Sequence, residues 1–395
     1  MPNYAYYQSI FAAEKMPFAY VDLDLFDQNI HQIAARAANK RVRIASKSIR
    51  CVALMQRILA SGEPYKGIMA YTAAEAVWLS QQGFDNILVA YPTYNPSDVQ
   101  AICQELQKGK YIVLMIDNEQ HITQINNIAK QMGVMALVCM DIDMSSDYLT
   151  LHFGVYRSNI RTTKQVQQLL GVLDKNIAVK LVGIMGYEAQ IAGIGDTTST
   201  NFIKNALIAR LKERSTKELA KRRSEIMIFL YKNGYIVDFC NGGGTGSLET
   251  TTLERSVDEV TAGSGFYSPT LFDNYQNFKH LPAAGFALEI TRQPKRHIYT
   301  CLGGGYVASG SAGPEKLPQP YLPQNCQLLP TEGAGEVQTP IIYKGKEKLT
   351  LGSPIFMRHA KAGELCEHFN ELILVANGKI IDKVPTYRGM GKCFL

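Results

Sequence analysis

The sequence predicts an α/β chain, a (β/α)8 barrel of the TIM type followed by a mostly-β domain, and three observations carry that reading. Short apolar, β-branched runs alternate with helix-spaced segments through the first two thirds of the 395 residues. Parallel strands need a covering crossover between them, so the alternation implies βα units. About eight such units follow one another without the break expected of a doubly wound sheet, which favours closure into a barrel. Past residue 278 helical spacing fades, glycine and proline become frequent (LGGGYVASGSAGPEKLPQPYLP at 302–323), and only short β-type runs remain. The expected domains are 18–277 for the barrel and 278–395, together with 1–17, for the β domain.

The elements read in order as follows. PFAYVDLD at 17–24 reads as an entry strand, and 25–38 has helical spacing through Phe26, Ile30, Ile33, Ala34 and Ala37. The strand that follows, in RVRIASKSIR at 41–50, carries Val42, Ile44 and Ala45 and ends at Lys47; a helix at 52–60 stops at Ser61-Gly62. GIMAY (67–71), NILVAYP (86–92) and YIVLMID (111–117) precede helices at 73–82, 97–107 and 121–131. MALVCMDID (135–143), VKLVGIMGY (179–187), YIVDFCNGGG (235–244) and VDEVTAG (257–263) complete the strands, and the Lys- and Arg-rich segment 202–233 is expected to be an outer helix with a solvated face. The β domain shows runs at 286–290, 297–301, 338–343 and 371–375.

Composition narrows the function classes. With 46% hydrophobic and 19% charged residues the chain is too apolar for disorder and ordinary for a soluble enzyme. The net charge of +6 is scattered without runs, which points weakly to small anionic ligands and away from nucleic acid. No stretch is apolar for long enough to span a bilayer and the N-terminal residues lack a secretory pattern, so the expected location is cytoplasmic, away from membranes. The eight cysteines form no CxxC pair and are expected to be reduced thiols.

Chemistry in such a barrel belongs at the C-terminal ends of the strands. Lys47, taken alone, is either a solvated strand-terminal cation or a reactive amine. The other strand ends are polar or glycine-rich: Tyr71, Asp141 and Asp143, Arg157 in a following loop, Tyr187 with Glu188, then 241–246 and 263–267. The run Asn241, Gly242, Gly243, Gly244, Thr245 reads either as a flexible turn or as a cradle whose backbone N–H groups hold a phosphate. Gly263, Ser264 and Tyr267 form a second such turn on the neighbouring strand, and the pair favours the cradle, because barrels hold phosphate in the loops after their last two strands. A lysine and a phosphate cradle facing each other across one barrel mouth suit pyridoxal 5′-phosphate.

The chain resembles the fold-type III pyridoxal-phosphate enzymes, the alanine racemase N-terminal barrel family, and within it the D-threonine aldolase and D-serine dehydratase group, including proteins described as amino acid deaminase/aldolase. The resemblance rests on PFAYVDLDLFDQNI, RIASKS, HFGVYRSNI at 152–160, VGIMGYEAQ at 182–190, CNGGGTGS, EVTAGSGFY at 259–267 and RHAKAGELCEHFNELILV at 358–375. It implies that Lys47 is the Schiff-base lysine and that Arg157 bonds the cofactor's phenolic oxygen. It also implies that Tyr187 lies beside the pyridine ring, and that 242–245 with Gly263, Ser264 and Tyr267 hold the phosphate. A homodimer is implied too, since the family's β domain closes a partner's site.

One motif departs from the resemblance. The group binds a divalent metal, zinc or manganese, through a His-x-Asp or His-x-Cys pair, whereas His359-Ala360-Lys361 places a lysine second, and a protonated lysine cannot ligate a metal. Either Cys366 supplies the missing ligand to a His359–Cys366 site, or His359 acts without metal as an acid/base or substrate contact. The function implied is a pyridoxal-phosphate-dependent lyase acting on a small-molecule D-amino acid, 3-hydroxylated, by aldol cleavage or dehydration. The alternatives are an amino-acid racemase and a non-catalytic pyridoxal-phosphate-binding protein.

Overall fold

Eight parallel strands close into a barrel, and the later β-type runs gather into a nine-stranded sheet. The computed structural model describes residues 2–148, 151–197 and 202–395. In chain order, α1 (Tyr4–Ile10) and β1 (Phe18–Asp22) precede α2 (Leu23–Ala37), β2 (Arg41–Ala45), α3 (Val52–Ala60), β3 (Tyr65–Ala70), α4 (Ala73–Gln81) and β4 (Ile87–Val89). Next come α5 (Pro96–Gln107), β5 (Ile112–Ile116), α6 (Glu119–Met132), β6 (Ala136–Asp141) and a hairpin of β7 (Ser146–Tyr148) and β8 (Leu151–Phe153). The series continues with α7 (Thr163–Leu173), β9 (Val179–Gly186), α8 (Ala189–Ala192), α9 (Phe202–Lys232), β10 (Phe239–Gly242), α10 (Leu248–Thr251) and β11 (Glu259–Ala262). The remainder is β12 (Ala284–Lys295), β13 (Ile298–Leu302), β14 (Gln319–Leu322), β15 (Cys326–Leu328), β16 (Gln338–Tyr343), β17 (Pro354–Arg358), β18 (Glu371–Ala376) and β19 (Lys379–Pro385). No helix among the described residues is long and apolar enough to cross a membrane.

The chain divides into two units, one of Met1–Gln32, Ser48–Gln56 and Ser264–Cys393, the other of Ile33–Lys47, Arg57–Gly263 and Phe394–Leu395. These limits differ from the 18–277 and 278–395 expected from the sequence. One reason is β1, the entry strand that the limits 18–277 include, which pairs antiparallel with β12 and parallel with β18 inside the sheet. All five of its residues are buried. A strand covered on both faces reads the same in either setting, so its apolar run did not reveal the sheet it joins. In the sheet unit Tyr7, Phe11, Phe18, Tyr20 and Phe356 pack ring against ring, and the Tyr7 hydroxyl donates to Asp22 Oδ2 at 2.9 Å.

The barrel unit has the closed order β10-β11-β2-β3-β4-β5-β6-β9. Its helices begin where side chains satisfy the first free amides. Thr72 accepts from Glu75 N, Asn118 from His121 N, and Thr162 and Gln165 form a capping box. Successive strand residues point to opposite faces, so one set lines the interior. Leu88, Val113, Met115, Cys139, Val182, Met185 and Phe239 make its apolar core. Gly183 is required there, because a Cβ would stand 2.3 Å from the Phe239 ring.

The same interior holds a buried ion pair. Arg43 on β2 donates through Nε and Nη2 to Glu259 of β11 at 2.6 and 2.9 Å, with both side chains 2% exposed. Its remaining donors reach Asn86 O at 2.7 Å and Asn86 Oδ1 at 3.0 Å. Glu259 also accepts from Asn241 Nδ2 at 2.8 Å. Breaking such a pair leaves a charge stranded in low dielectric, at a cost of about 3–5 kcal/mol. Arg43→Met should therefore lower the unfolding free energy by roughly that amount, read from the midpoint shift in urea, and a change under about 0.5 kcal/mol would contradict the weight given to the pair.

Candidate active site

The barrel's register places the sequence-predicted strand ends side by side. Ile44 pairs with Ala262, Gly242 pairs with Val260, and Gly186 pairs with Gly242. Residues just beyond these pairs therefore leave four consecutive strands at the same end: Lys47 after β2, Gly263 after β11, Gly243 after β10 and Tyr187 after β9. Lys47 is half-buried in a single 3₁₀ turn, Ser46–Ser48, whose Ser46 hydroxyl donates to Met69 O at 2.9 Å. The expectation that lysine and glycine loop face each other across the mouth is thus corrected. β2 lies next to β11 and one strand from β10, so the two groups are neighbours along the rim.

The glycine loop is a braced turn. Gly243 has φ +76, a left-handed backbone that glycine adopts without steric cost. Its N–H donates to Glu188 Oε2 at 3.2 Å, and Gly244 N–H donates to Ser247 Oγ at 3.0 Å. Ser247 Oγ in turn donates to Glu188 Oε1 at 2.9 Å, and the Thr251 hydroxyl donates to the same oxygen. Arg36 of α2 holds the other side, donating to Thr245 O at 2.6 Å and to Glu249 Oε2 at 2.9 Å. A Cβ at Gly244 would stand 2.9 Å from Ala192 Cβ and 3.1 Å from Tyr187 Cε2, so glycine lets the loop lie against the Tyr187 ring. Asn241 is placed differently: its amide is spent inside the barrel on Glu259 and Thr261.

Behind Glu188 stands an arginine from the Lys- and Arg-rich segment whose other face was expected to be solvated. Arg223 of α9 is 1% exposed and donates to Glu188, to Glu254 and, at 3.1 Å, to Gly186 O. A signal for it existed. Arg223 falls at helical spacing with buried Leu219, Ile226 and Leu230, on the stripe that faces inward.

Arg157 projects from the loop after β8 between two aromatic faces, its Cζ 5.2 Å from the Tyr91 ring centroid and 5.5 Å from that of Tyr187. The loop is tied down by Ser158, whose hydroxyl donates to Asp141 O at 2.6 Å. Burial pushes the Tyr187 hydroxyl up to about 12 against the pull of Arg157. Asp141 ends β6 and is 7% exposed; burial raises its carboxyl to about 7, opposed by Arg157 and reinforced by Asp117 and Asp143. Asp143 is itself engaged, accepting from Ser145 and pairing with Arg161 at 3.2 Å.

The other predicted residues belong to the sheet unit. The Ser264 carbonyl accepts from Ser268 N at 3.0 Å. Tyr267 is buried, donates to Ile49 O at 2.9 Å and packs on Phe26, so its hydroxyl is used within that unit. His359, at the end of β17, is 3% exposed, and neither ring nitrogen has a hydrogen-bond partner among the described residues. Burial, with Arg358 beside it, lowers its pKa to about 3, so the ring is neutral. The Cys366 thiol is buried, donates to Ile49 O at 3.3 Å and is pushed well above its ordinary value by burial. Thiolate, the form that ligates zinc, is therefore disfavoured at Cys366. Among the described residues no group of three or more His, Cys, Asp or Glu could hold a metal ion. Of the two alternatives, the use of the Cys366 thiol as a donor to Ile49 O favours a His359 that acts without metal.

Comparison with known proteins adds to this geometry. Residues 21–267 match the family described as alanine racemase, N-terminal domain. No curated protein sequence gives a significant match. Among solved structures the chain is similar to D-threonine aldolase from Filomicrobium marinum, at 17% identity with 95% of each chain covered and a TM-score of 0.81. It is also similar to D-threo-3-hydroxyaspartate dehydratase from Delftia sp. HT23, at 17% identity over 95% of this chain and 98% of that one, TM-score 0.74. A Clostridium difficile 630 alanine racemase in complex with cycloserine matches at 14% identity over 94% and 99%, TM-score 0.66. At these identities the likeness is one of fold.

Two outcomes are expected. Because the folded state raises the Asp141 pKa from 3.8 to about 7, the stability that this group contributes is full below about pH 4 and is lost as pH rises through 7. Asp141→Asn, which stays uncharged, should be more stable than the parent above pH 7 by an amount of order 4 kcal/mol at most, with the gap closing toward pH 4; urea midpoints across pH 4–8 measure it, and a pH-independent difference would count against the assignment. Second, calorimetric titration of the full chain with zinc or manganese should show no tight stoichiometric site, and one tightly bound ion per chain would overturn the reading of the donor set.

Proposed function

The chain belongs to the alanine racemase N-terminal domain family, and from that premise we propose that it is a pyridoxal-phosphate-dependent lyase acting on a D-amino acid, preferentially 3-hydroxylated. The observation that carries the reading is the placement of a lysine amine, a glycine turn and a cation between aromatic rings on the rim of one barrel. These residues suit the group. Lys47 would hold the cofactor's aldehyde carbon and Arg157 its phenolic oxygen, and Tyr187 would lie along its ring; the 242–245 turn and Gly263 would seat its phosphate, with the Gly243 and Gly244 N–H groups serving to shape that turn through Glu188 and Ser247. When bound, the cofactor supplies an electron sink that weakens the bonds at the substrate α-carbon.

The protein's own contributions follow from the geometry. Arg157 is held by two ring faces and by the Ser158 anchor, so it presents a fixed positive charge to an anionic oxygen instead of searching for it. Lys47 Nζ is the proposed proton carrier at the α-carbon. Asp141, with a carboxyl titrating near neutrality, is proposed as a second proton-handling group, since a catalytic acid or base works best with a pKa near the working pH. His359, in the sheet unit, is neutral and a weak base. The homodimer implied by the sequence resemblance belongs to the same proposal.

A racemase is the second reading, supported by the alanine racemases among the similar folds. Both readings are separated by product analysis over a panel of D-amino acids in the presence of pyridoxal phosphate. The lyase reading expects an aldehyde with glycine, or a keto acid with ammonia, from a D-3-hydroxy amino acid. Recovery of the L-enantiomer as sole product would replace it with the racemase, and no turnover of any member would contradict both.

A further inference from the structure

We propose that Glu188, backed by Arg223, is the positioning residue that gives the glycine loop its phosphate-binding shape; this rests on the reading of that loop as the phosphate site. Glu188 is 2% exposed, and a carboxylate buried that deeply is costly unless it is paired and hydrogen-bonded. Its partners show what the cost maintains. Besides Arg223, its donors are Gly243 N–H, the Ser247 hydroxyl and the Thr251 hydroxyl, all from the stretch 243–251. Arg223 also lies under the turn: a Cβ on Gly242 would stand 3.3 Å from its Cζ. One carboxylate thus ties the left-handed Gly243, the Gly244–Ser247 turn and the start of α10 to a single template at the end of β9.

The charge of this group argues for shape over attraction. Arg223 is shared between Glu188 and Glu254, so the three side chains carry one net negative charge. On Coulomb grounds alone that charge opposes a phosphate. Glu188 helps an anion only by preorganising the loop, so that no ordering cost falls on binding. Neutralising it therefore has opposite expected effects under the two accounts: tighter phosphate binding if only charge matters, weaker binding if position matters.

The test is the affinity of the full chain for pyridoxal 5′-phosphate relative to pyridoxal, measured by fluorescence titration for the parent, Glu188→Gln, Thr251→Val and Thr251→Ser. The parent should prefer the phosphate ester by about 100-fold, as two charge-assisted hydrogen bonds would give. Glu188→Gln should cut that preference by about tenfold and Thr251→Val by severalfold, with Thr251→Ser restoring it and pyridoxal affinity unchanged throughout. Thr251→Val keeps the side-chain shape, so it carries the test should Glu188→Gln fail to fold. A preference that rises or holds in the variants, or an equal loss for both aldehydes, overturns the inference. A parent that binds the two aldehydes equally sinks the reading of the loop itself.

Discussion

The buried pair of Arg43 and Glu259 is the constraint on which the rim of the barrel depends. β2 and β11 are the first and last strands of the closed sheet, so their pairing is the seam at which the barrel shuts. The seam joins residues 216 positions apart in the chain, a contact whose entropic cost must be met by specific interactions. Bidentate bonding between Arg43 and Glu259, with Asn86 and Asn241 taking the remaining groups, fixes that register. A slip of one residue would turn Arg43 out of the interior and Lys47 away from the rim. Core and site therefore share one determinant.

From that seam the site is assembled by adjacency. Lys47, Gly263, the glycine loop and Tyr187 leave four strands in spatial sequence. The loop is held from one side by Arg36 and from the other by Glu188 and Arg223; Arg157 is held by two tyrosines. This rigidity suits a cofactor that does the electronic work itself and asks the protein for fixed geometry.

Much of this was legible in the sequence, and the failures have physical causes. Barrel strands and helices stand out because short continuous apolar runs alternate with period-3.6 patterns, and Lys47, Arg157 and the glycine loop lie where strand ends predict functional groups. β1 was misplaced because an all-buried strand carries no mark of which sheet covers it. Asn241 and Tyr267 look like site residues by type, yet their polar groups are consumed by Glu259, Thr261 and Ile49, partners distant in sequence. Arg223 was missed because a charged residue on a basic helix is normally solvated, and only its register with Leu219, Ile226 and Leu230 betrayed its burial. Cys366 is a ligand candidate by residue type, and its thiol donates to the Ile49 carbonyl from a buried position, a partner that the sequence does not reveal.

The central claim is that Lys47 is the amine at which the chain holds an aldehyde cofactor. Borohydride reduction of the full-length protein incubated with pyridoxal 5′-phosphate, followed by peptide mass mapping, tests it directly. The account predicts one pyridoxyl group per chain on Lys47 and none on the Lys47→Ala variant. Labelling of a different lysine, or equal labelling of the variant, would contradict it.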